Sequence, residues 1–250
     1  MTEIHRIKAC LNGGRTRAEH PAVPLTPAEL ARAATAAVAA GAEAVHLHPR
    51  GADGAESLAA ADIGAAVAAV RAGCPGTPVG VSTGLWITGG DATRRYALVA
   101  EWAGLPADQR PDFASVNVGE EGFAELAVLL DRAGTGVEAG VWSAGDAELL
   151  DAVPVGRILI EILDTPAAGA VAAADRILRR LDRLGVAGPR LLHGEREACW
   201  PLIAHAGRLG LPTRIGLEDT LVTDDGRVAV DNAALVGRAL RVWRAQRERR

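Results

Sequence analysis

Residues 26–50 read Thr26-Pro-Ala-Glu29-Leu-Ala-Arg-Ala-Ala-Thr-Ala-Ala-Val-Ala-Ala-Gly41-Ala-Glu-Ala-Val45-His-Leu-His48-Pro-Arg50. This stretch holds a complete helix-to-strand unit. Thr26 offers a hydroxyl cap, Pro27 suits the first helical turn, and Glu29 can cap back onto Thr26. Gly41 follows the helical run, where a left-handed cap residue is wanted. Ala44–His48 then reads as a strand, and Pro49 ends its ladder.

The same alternation runs along the chain. Strands are predicted at Ile4–Leu11, Ala44–His48, Val79–Ser82, Phe113–Val118, Gly136–Gly140, Arg157–Ile162, Arg190–His193 and Arg214–Leu217. Helices are predicted at Pro27–Ala40, Leu58–Ala72, Ala92–Trp102, Gly122–Ala133, Ala144–Ala152, Pro166–Leu184, Glu197–Leu209 and Asn232–Glu248. Thr165-Pro166 repeats the cap-then-proline signal, and Gly185 repeats the glycine stop. Strand–helix pairs with no Pro/Gly/Ser linker between them indicate parallel βαβ units. Eight such units in 250 residues match a (β/α)8 TIM barrel, class α/β, in one domain spanning 1–250. A doubly wound open sheet is the alternative. It is disfavoured because no GxGxxG opens a helix and because the count reaches eight.

Composition narrows the function classes. With 49% hydrophobic residues a large core is available, and disorder is excluded. The net charge of −4 leaves no basic surplus to neutralise phosphates, so no nucleic-acid partner is expected. Cys10, Cys74 and Cys199 are widely spaced, odd in number and form no CxxC, which suits a reducing cytoplasm. Charged residues interrupt every Ala-rich stretch, so no run of about 20 apolar residues could span a membrane. A cytoplasmic protein acting on a small molecule is expected.

In a barrel, chemistry gathers at the C-terminal ends of the strands and in the loops that follow. The polar residues at those points are Asn12, Arg15, His46, His48, Arg50, Ser82, Ser115, Asn117, Glu138, Glu161, His193, Arg214, Glu218 and Asp219. His46 and His48 share one face of their strand, about 6.6 Å apart along the chain. They can converge on one ion while Val45 and Leu47 face the helices. A barrel can bring a third ligand from a distant strand, and Arg214-Ile-Gly-Leu-Glu218-Asp219 offers a carboxylate at the end of strand eight. His46, His48 and Glu218 would form a His2Glu set with an open position, the pattern of catalytic zinc.

Ser82 has no Gly-x-Ser-x-Gly elbow and reads as a hydrogen-bond donor to a substrate oxygen. Gly80, on the same face, leaves room at the barrel centre. Ser115 and Asn117 share the inward face of strand four. Glu138 and Glu161 read as structural carboxylates paired with arginines. Arg214 points into the barrel mouth beside Asp219, either as a structural ion pair or as a carboxylate clamp coupled to a base. His193 is a further candidate ligand or proton carrier, whereas His5, His20 and His205 have no such geometry.

Taken together these residues resemble the β-keto acid cleavage enzymes. The resemblance rests on Pro21-Ala-Val-Pro24-Leu-Thr-Pro27, Ala40–Arg50, Ser82-Thr-Gly84, Ala114-Ser-Val-Asn117 and Arg214-Ile-Gly-Leu-Glu218-Asp219, in the family's order over nearly the whole chain. It implies a homo-oligomeric TIM barrel (dimer or tetramer), with zinc on His46, His48 and Glu218. It also implies that Ser82 and Ser115 hold the substrate and that Arg214 with Asp219 is the acid–base pair. The implied reaction takes a β-keto acid and acetyl-CoA to acetoacetate and a new acyl-CoA.

Two places depart from the family's pattern. Leu11-Asn-Gly-Gly-Arg15 puts Arg15 where the family has a Glu that would pair with a substrate ammonium, which implies a neutral or anionic tail here. Glu161-Ile-Leu-Asp164-Thr-Pro-Ala stands in place of a glycine-rich loop after strand six, leaving the use of coenzyme A open. Two rival readings remain at this point: a metal-dependent hydrolase on a TIM barrel, and a non-catalytic metabolite-binding barrel.

Overall fold

The computed structural model describes residues 2–150 and 153–249. Eight strands alternate with seven α-helices among the described residues: β1 Ile7–Cys10, α1 Pro27–Ala39, β2 Ala44–Leu47, α2 Ala60–Gly73, β3 Val79–Ser82, α3 Ala92–Ala100, β4 Phe113–Asn117, α4 Phe123–Arg132, β5 Gly136–Val141, β6 Arg157–Ile162, α5 Ala167–Arg183, β7 Arg190–Gly194, α6 Cys199–Leu209, β8 Thr213–Ile215 and α7 Asn232–Arg247. The strands are parallel, in the order β7-β6-β5-β4-β3-β2-β1-β8. The last seam is drawn together by the Leu192 N–H, which donates to the Pro212 carbonyl at 3.0 Å. The result is a nearly closed TIM barrel. No described helix is long and apolar enough to cross a membrane.

Local signals explain most boundaries. The Thr26 hydroxyl accepts from the Glu29 N–H, and the Glu29 carboxylate accepts from the Thr26 N–H, completing the capping box that starts α1. Gly41 and Gly185 both take positive φ, 109° and 67°. Two expectations fail. The Thr165 hydroxyl donates to the Leu163 carbonyl instead of capping α5, whose first turn has no side-chain cap. The helix expected over Ala144–Ala152 is a short 3-10 turn, Asp146–Leu150, and its last two predicted residues lie outside the described ones. Here the Asp146 carboxylate accepts from the N–H groups of Trp142 and Ser143, folding the segment into a side-chain turn.

The period-2 reading of the strands is borne out. Val45 and Leu47 join the shell between sheet and helices, while Ile4, Ala44, Phe113, Leu159 and Leu191 form a separate apolar cluster inside the barrel. Gly80 makes room, as expected, and the room is taken by the Phe113 ring, which a Cβ at Gly80 would overlap. Above that ring lies a buried ionic cluster. Glu138 accepts from Lys8, from Arg157 at 2.7 Å and from the Ser115 hydroxyl at 3.1 Å. Both cations also lie 5.5 Å from the Phe113 ring centre.

Glu138 is completely buried, which by itself would raise its pKa. Lys8 and Arg157 outweigh burial and hold the carboxyl far below the usual carboxylate range. Because the folded-state pKa is the depressed one, this contribution is complete above about pH 4.5 and is lost as the pH falls. Glu138→Gln should therefore lose about 3–5 kcal/mol of stability, because two buried cations lose their counter-charge. Thermal unfolding followed from pH 7 to pH 3 checks this. The native protein should lose Tm steeply below about pH 4.5, and the variant should be lower at pH 7 and flatter with pH.

Candidate functional site

The site is built at the C-terminal mouth of the barrel. His46 and His48 leave β2 on its inward face with their Nε2 atoms 3.1 Å apart. Asn12 holds the backbone beneath them: its Oδ1 accepts from the His48 N–H at 2.9 Å and its Nδ2 donates to the His48 carbonyl at 2.8 Å.

Glu218 arrives from the loop after β8. Asn232 fixes that loop, accepting from the Leu217 N–H and donating to the Leu11 carbonyl, both at 2.9 Å. Gly13 lies against the Glu218 side chain with φ +51°, and a Cβ there would overlap Cγ of Glu218. Glycine at 13 thus lets the carboxylate reach the imidazoles. Glu218 Oε2 ends 3.6 Å from His48 Nε2 and 3.9 Å from His46 Nε2.

These three donors fit a divalent ion. Their separations bracket the edge of about 3.3 Å expected between donors of a tetrahedral zinc with bonds of about 2.0 Å. Glu218 Oε2 and His46 Nδ1 are buried without a hydrogen-bond partner among the described residues. Burial disfavours charge on His48, but Glu218 and Glu56 outweigh it and bring the imidazole up to about 9. Burial holds His46 well below its ordinary value, in the neutral form that a ligand requires. Two carboxylates around a pair of rings thus attract one positive charge, whether proton or metal.

A second group of donors, Cys10, Glu218 and Asp219, is equally close-set. Its centre is already taken, because Arg214 Nη2 donates to both Glu218 and Asp219. Burial also keeps the Cys10 thiol protonated.

Arg214, from β8, is nearly encased in carboxylates. Its Nε and Nη2 donate to Asp219 Oδ1 at 3.0 and 2.8 Å, and Nη2 donates to Glu218 Oε1 at 2.9 Å. Nη1 makes no hydrogen bond among the described residues and lies 3.6 Å from Glu161 Oε2. Asp219 is fully buried behind the guanidinium, its Oδ2 without a hydrogen-bond partner among the described residues and its pKa raised by burial. His193 is not among the metal donors. Its Nε2 pairs with Glu161 Oε2 at 2.7 Å, and its Nδ1 lies 3.7 Å from Asp219.

Ser82, Ser115, Asn117 and Arg15 also line this mouth, a cavity of about 290 Å3, whereas Arg50 does not and donates instead to the Gly13 and Arg15 carbonyls. The Ser82 hydroxyl accepts from the Gly84 N–H at 3.2 Å, which leaves its proton free to donate to a ligand. Ser115 is polarised the other way. It donates to Glu138, so it turns lone pairs to the cavity. Asn117 Nδ2 donates to Glu120 at 2.8 Å, and Arg15 donates through Nη1 to Glu19 at 2.9 Å and through Nε to the Glu218 carbonyl at 3.2 Å. Glu161, expected to be structural, lines the cavity, whereas Glu138 lies beneath it in the role expected.

Sequence reasoning missed Glu56, Trp86 and Trp142. Glu56 Oε1 lies 2.5 Å from His48 Nδ1, fixing the ring from behind, and Trp86 Nε1 donates to Glu56 Oε2 at 3.0 Å. The usable signal was chemical: an imidazole ligand needs a partner for its second nitrogen, and Glu56 is a carboxylate just beyond Pro49.

A curated relative, 3-keto-5-aminohexanoate cleavage enzyme of Fusobacterium nucleatum, is 30% identical over 136 residues, covering 54% of this chain and 47% of that protein. The match thus spans about half the relative's length. Among solved structures, apo ObcA superposes with a TM-score of 0.69 at 19% identity, covering 87% of this chain and 61% of that one. ObcA in a ternary complex with a C4-CoA adduct and oxalate gives 0.69 at 19% identity, covering 87% and 62%. The carboxyl transferase domain of Rhizobium etli pyruvate carboxylase gives 0.61 at 14% identity, covering 97% and 47%. At such identities the structural likeness is one of fold. The family model for beta-keto acid cleavage enzymes matches residues 6–249, and by that match, over the barrel and mouth just described, the chain belongs to the beta-keto acid cleavage enzyme family.

Proposed function

We propose that this protein is a zinc-dependent enzyme that cleaves a small β-keto acid, with acetyl-CoA as co-substrate and acetoacetate and an acyl-CoA as products. The observation that carries the reading is the convergence of His46, His48 and Glu218 beside a guanidinium whose Nη1, 3.6 Å from Glu161, makes no hydrogen bond among the described residues. A non-catalytic binding barrel has no need of that pairing.

Zinc held by His46, His48 and Glu218 would supply Lewis-acid polarisation of the keto oxygen. Glu56 orients His48 for that role through Nδ1. Arg214 Nη1 binds and orients the substrate carboxylate as a charge-assisted donor. Asp219 locks the guanidinium through Nε and Nη2, and its Oδ2, without a hydrogen-bond partner among the described residues, is the basic atom of the pair. Asp219 is the proton acceptor, and Arg214, whose guanidinium has no lone pair to take a proton, stays its charged partner and the carboxylate clamp, so the two residues act as one acid–base unit. Ser82 donates to a substrate oxygen and Ser115 accepts from a substrate O–H or N–H. Asn117 and Arg15 complete the walls. A cytoplasmic homo-oligomer is part of the same reading.

Metal analysis of the purified protein, followed by a screen of β-keto acids with and without acetyl-CoA, tests the proposal. One zinc per chain is expected, lost in His46→Ala and His48→Ala together with activity. Absence of zinc, or hydrolysis of amides or lactones with no keto-acid turnover, would overturn it. Asp219→Asn should retain the metal while kcat falls roughly 100-fold or more, the usual weight of a general base. Unchanged kcat in that variant would remove Asp219 from the mechanism.

A further inference from the structure

The cavity mouth has two unlike arcs. On the loops after β7, β8 and β1 it is charged, with Glu195, Arg196, Glu218, Arg15 and Glu19. On the loops after β3, β5 and β6 it is apolar, with Trp86, Trp142 and Leu163. Trp86 and Trp142 are 50% and 40% exposed, and they are the exposed tryptophans of the described residues. Both line this one cavity. Two large apolar rings left open to water at the mouth of a pocket mark a surface that a ligand covers.

Neither indole is loosely held. The Trp86 ring lies against Gly84, where a Cβ would overlap it, stacks on His48 at 6.3 Å, and is pinned by its bond to Glu56. Trp142 donates through Nε1 to Glu161 at 3.2 Å, and its own N–H is held by Asp146 at 2.7 Å. Their polar edges are satisfied by protein carboxylates, so their exposed surfaces offer apolar contact. On the charged arc, Arg15 already has Glu19 as its counter-charge, so its cation is not free to select an anionic tail.

We infer that Trp86, Trp142 and Leu163 form a subsite for an apolar, preferentially aryl, substituent on the keto carbon of the substrate. The inference rests on the β-keto acid reading above. For an aryl substrate the balanced exchange is 3-oxo-3-phenylpropanoate plus acetyl-CoA giving benzoyl-CoA plus acetoacetate. The bond between C2 and C3 of the keto acid breaks, the benzoyl group passes to the coenzyme A sulfur, and the acetyl group joins C2.

Two measurements on the zinc-loaded protein separate this inference from the reading beneath it. The first is calorimetric binding of the unreactive acids 3-phenylpropanoate and butanoate. The aryl acid should bind about tenfold more tightly, the effect expected of one ring packed on an indole. Trp142→Ala should abolish that preference and Trp142→Phe should keep most of it. Trp86→Phe, with its zinc content measured, reports the second wall. The second measurement is kcat/KM for 3-oxo-3-phenylpropanoate against 3-oxopentanoate. The aryl acid should be favoured roughly tenfold, and the ratio should fall in Trp142→Ala. An aryl preference in binding without any cleavage would keep the subsite and overturn the proposed reaction. Cleavage of 3-oxopentanoate with no aryl preference in either measurement would keep the reaction and overturn the subsite. An aryl preference that survives in Trp142→Ala and in Trp86→Ala would also overturn it.

Discussion

The whole mouth of this barrel is organised around the charge of one carboxylate. Glu218 gives Oε1 to Arg214 at 2.9 Å and turns Oε2, which has no hydrogen-bond partner among the described residues, toward two imidazoles. An ionised group this deep is tolerated because compensating cations surround it. Arg214 supplies one, and the ring pair calls for another. Burial alone would push the Glu218 carboxyl up, yet Arg214 and the two histidines hold it well below its ordinary value. The fold meets that demand with devices far apart in sequence: Gly13 makes space, and Asn232 ties the loop after β8 to the end of β1. The hydrogen-bonded pair of β1 and β8 therefore builds the site as well as one side of the barrel.

Beneath the mouth, the Lys8–Glu138–Arg157 cluster gives the cavity a rigid floor. It links β1, β5 and β6 and reaches the site through Ser115, whose hydroxyl it orients. Paired charges fill the barrel interior at this level, over the apolar layer around Phe113. Such a layer is costly if any member is lost, and it sets the direction of a hydroxyl that faces the ligand.

Much of this was legible in the sequence because strands obey a period of two. The parity of His46 and His48 and of Ser115 and Asn117 follows from strand direction, so their convergence at one end of a barrel could be read from the sequence. Glu218, by contrast, lies beyond β8, which ends at Ile215, and is placed by the loop that Gly13 and Asn232 shape. Residues on loops were not legible in the same way. Glu56, Trp86 and Trp142 are placed by turns whose geometry depends on tertiary contacts, and no periodicity announces them. The segment after β5 reads as helical by composition, yet Asp146 uses its carboxylate to build a turn there. Thr165 likewise has the residue type of a cap and a different partner. Side chains that can bond locally in several ways are where pattern and structure part.

X-ray absorption at the zinc edge of the metal-loaded protein tests the central claim most directly. The expected spectrum shows two imidazole nitrogens at about 2.0–2.1 Å together with oxygen ligands and no sulfur. A Zn–S distance of about 2.3 Å, which would place the ion on Cys10, or a spectrum without imidazole scattering, would contradict it.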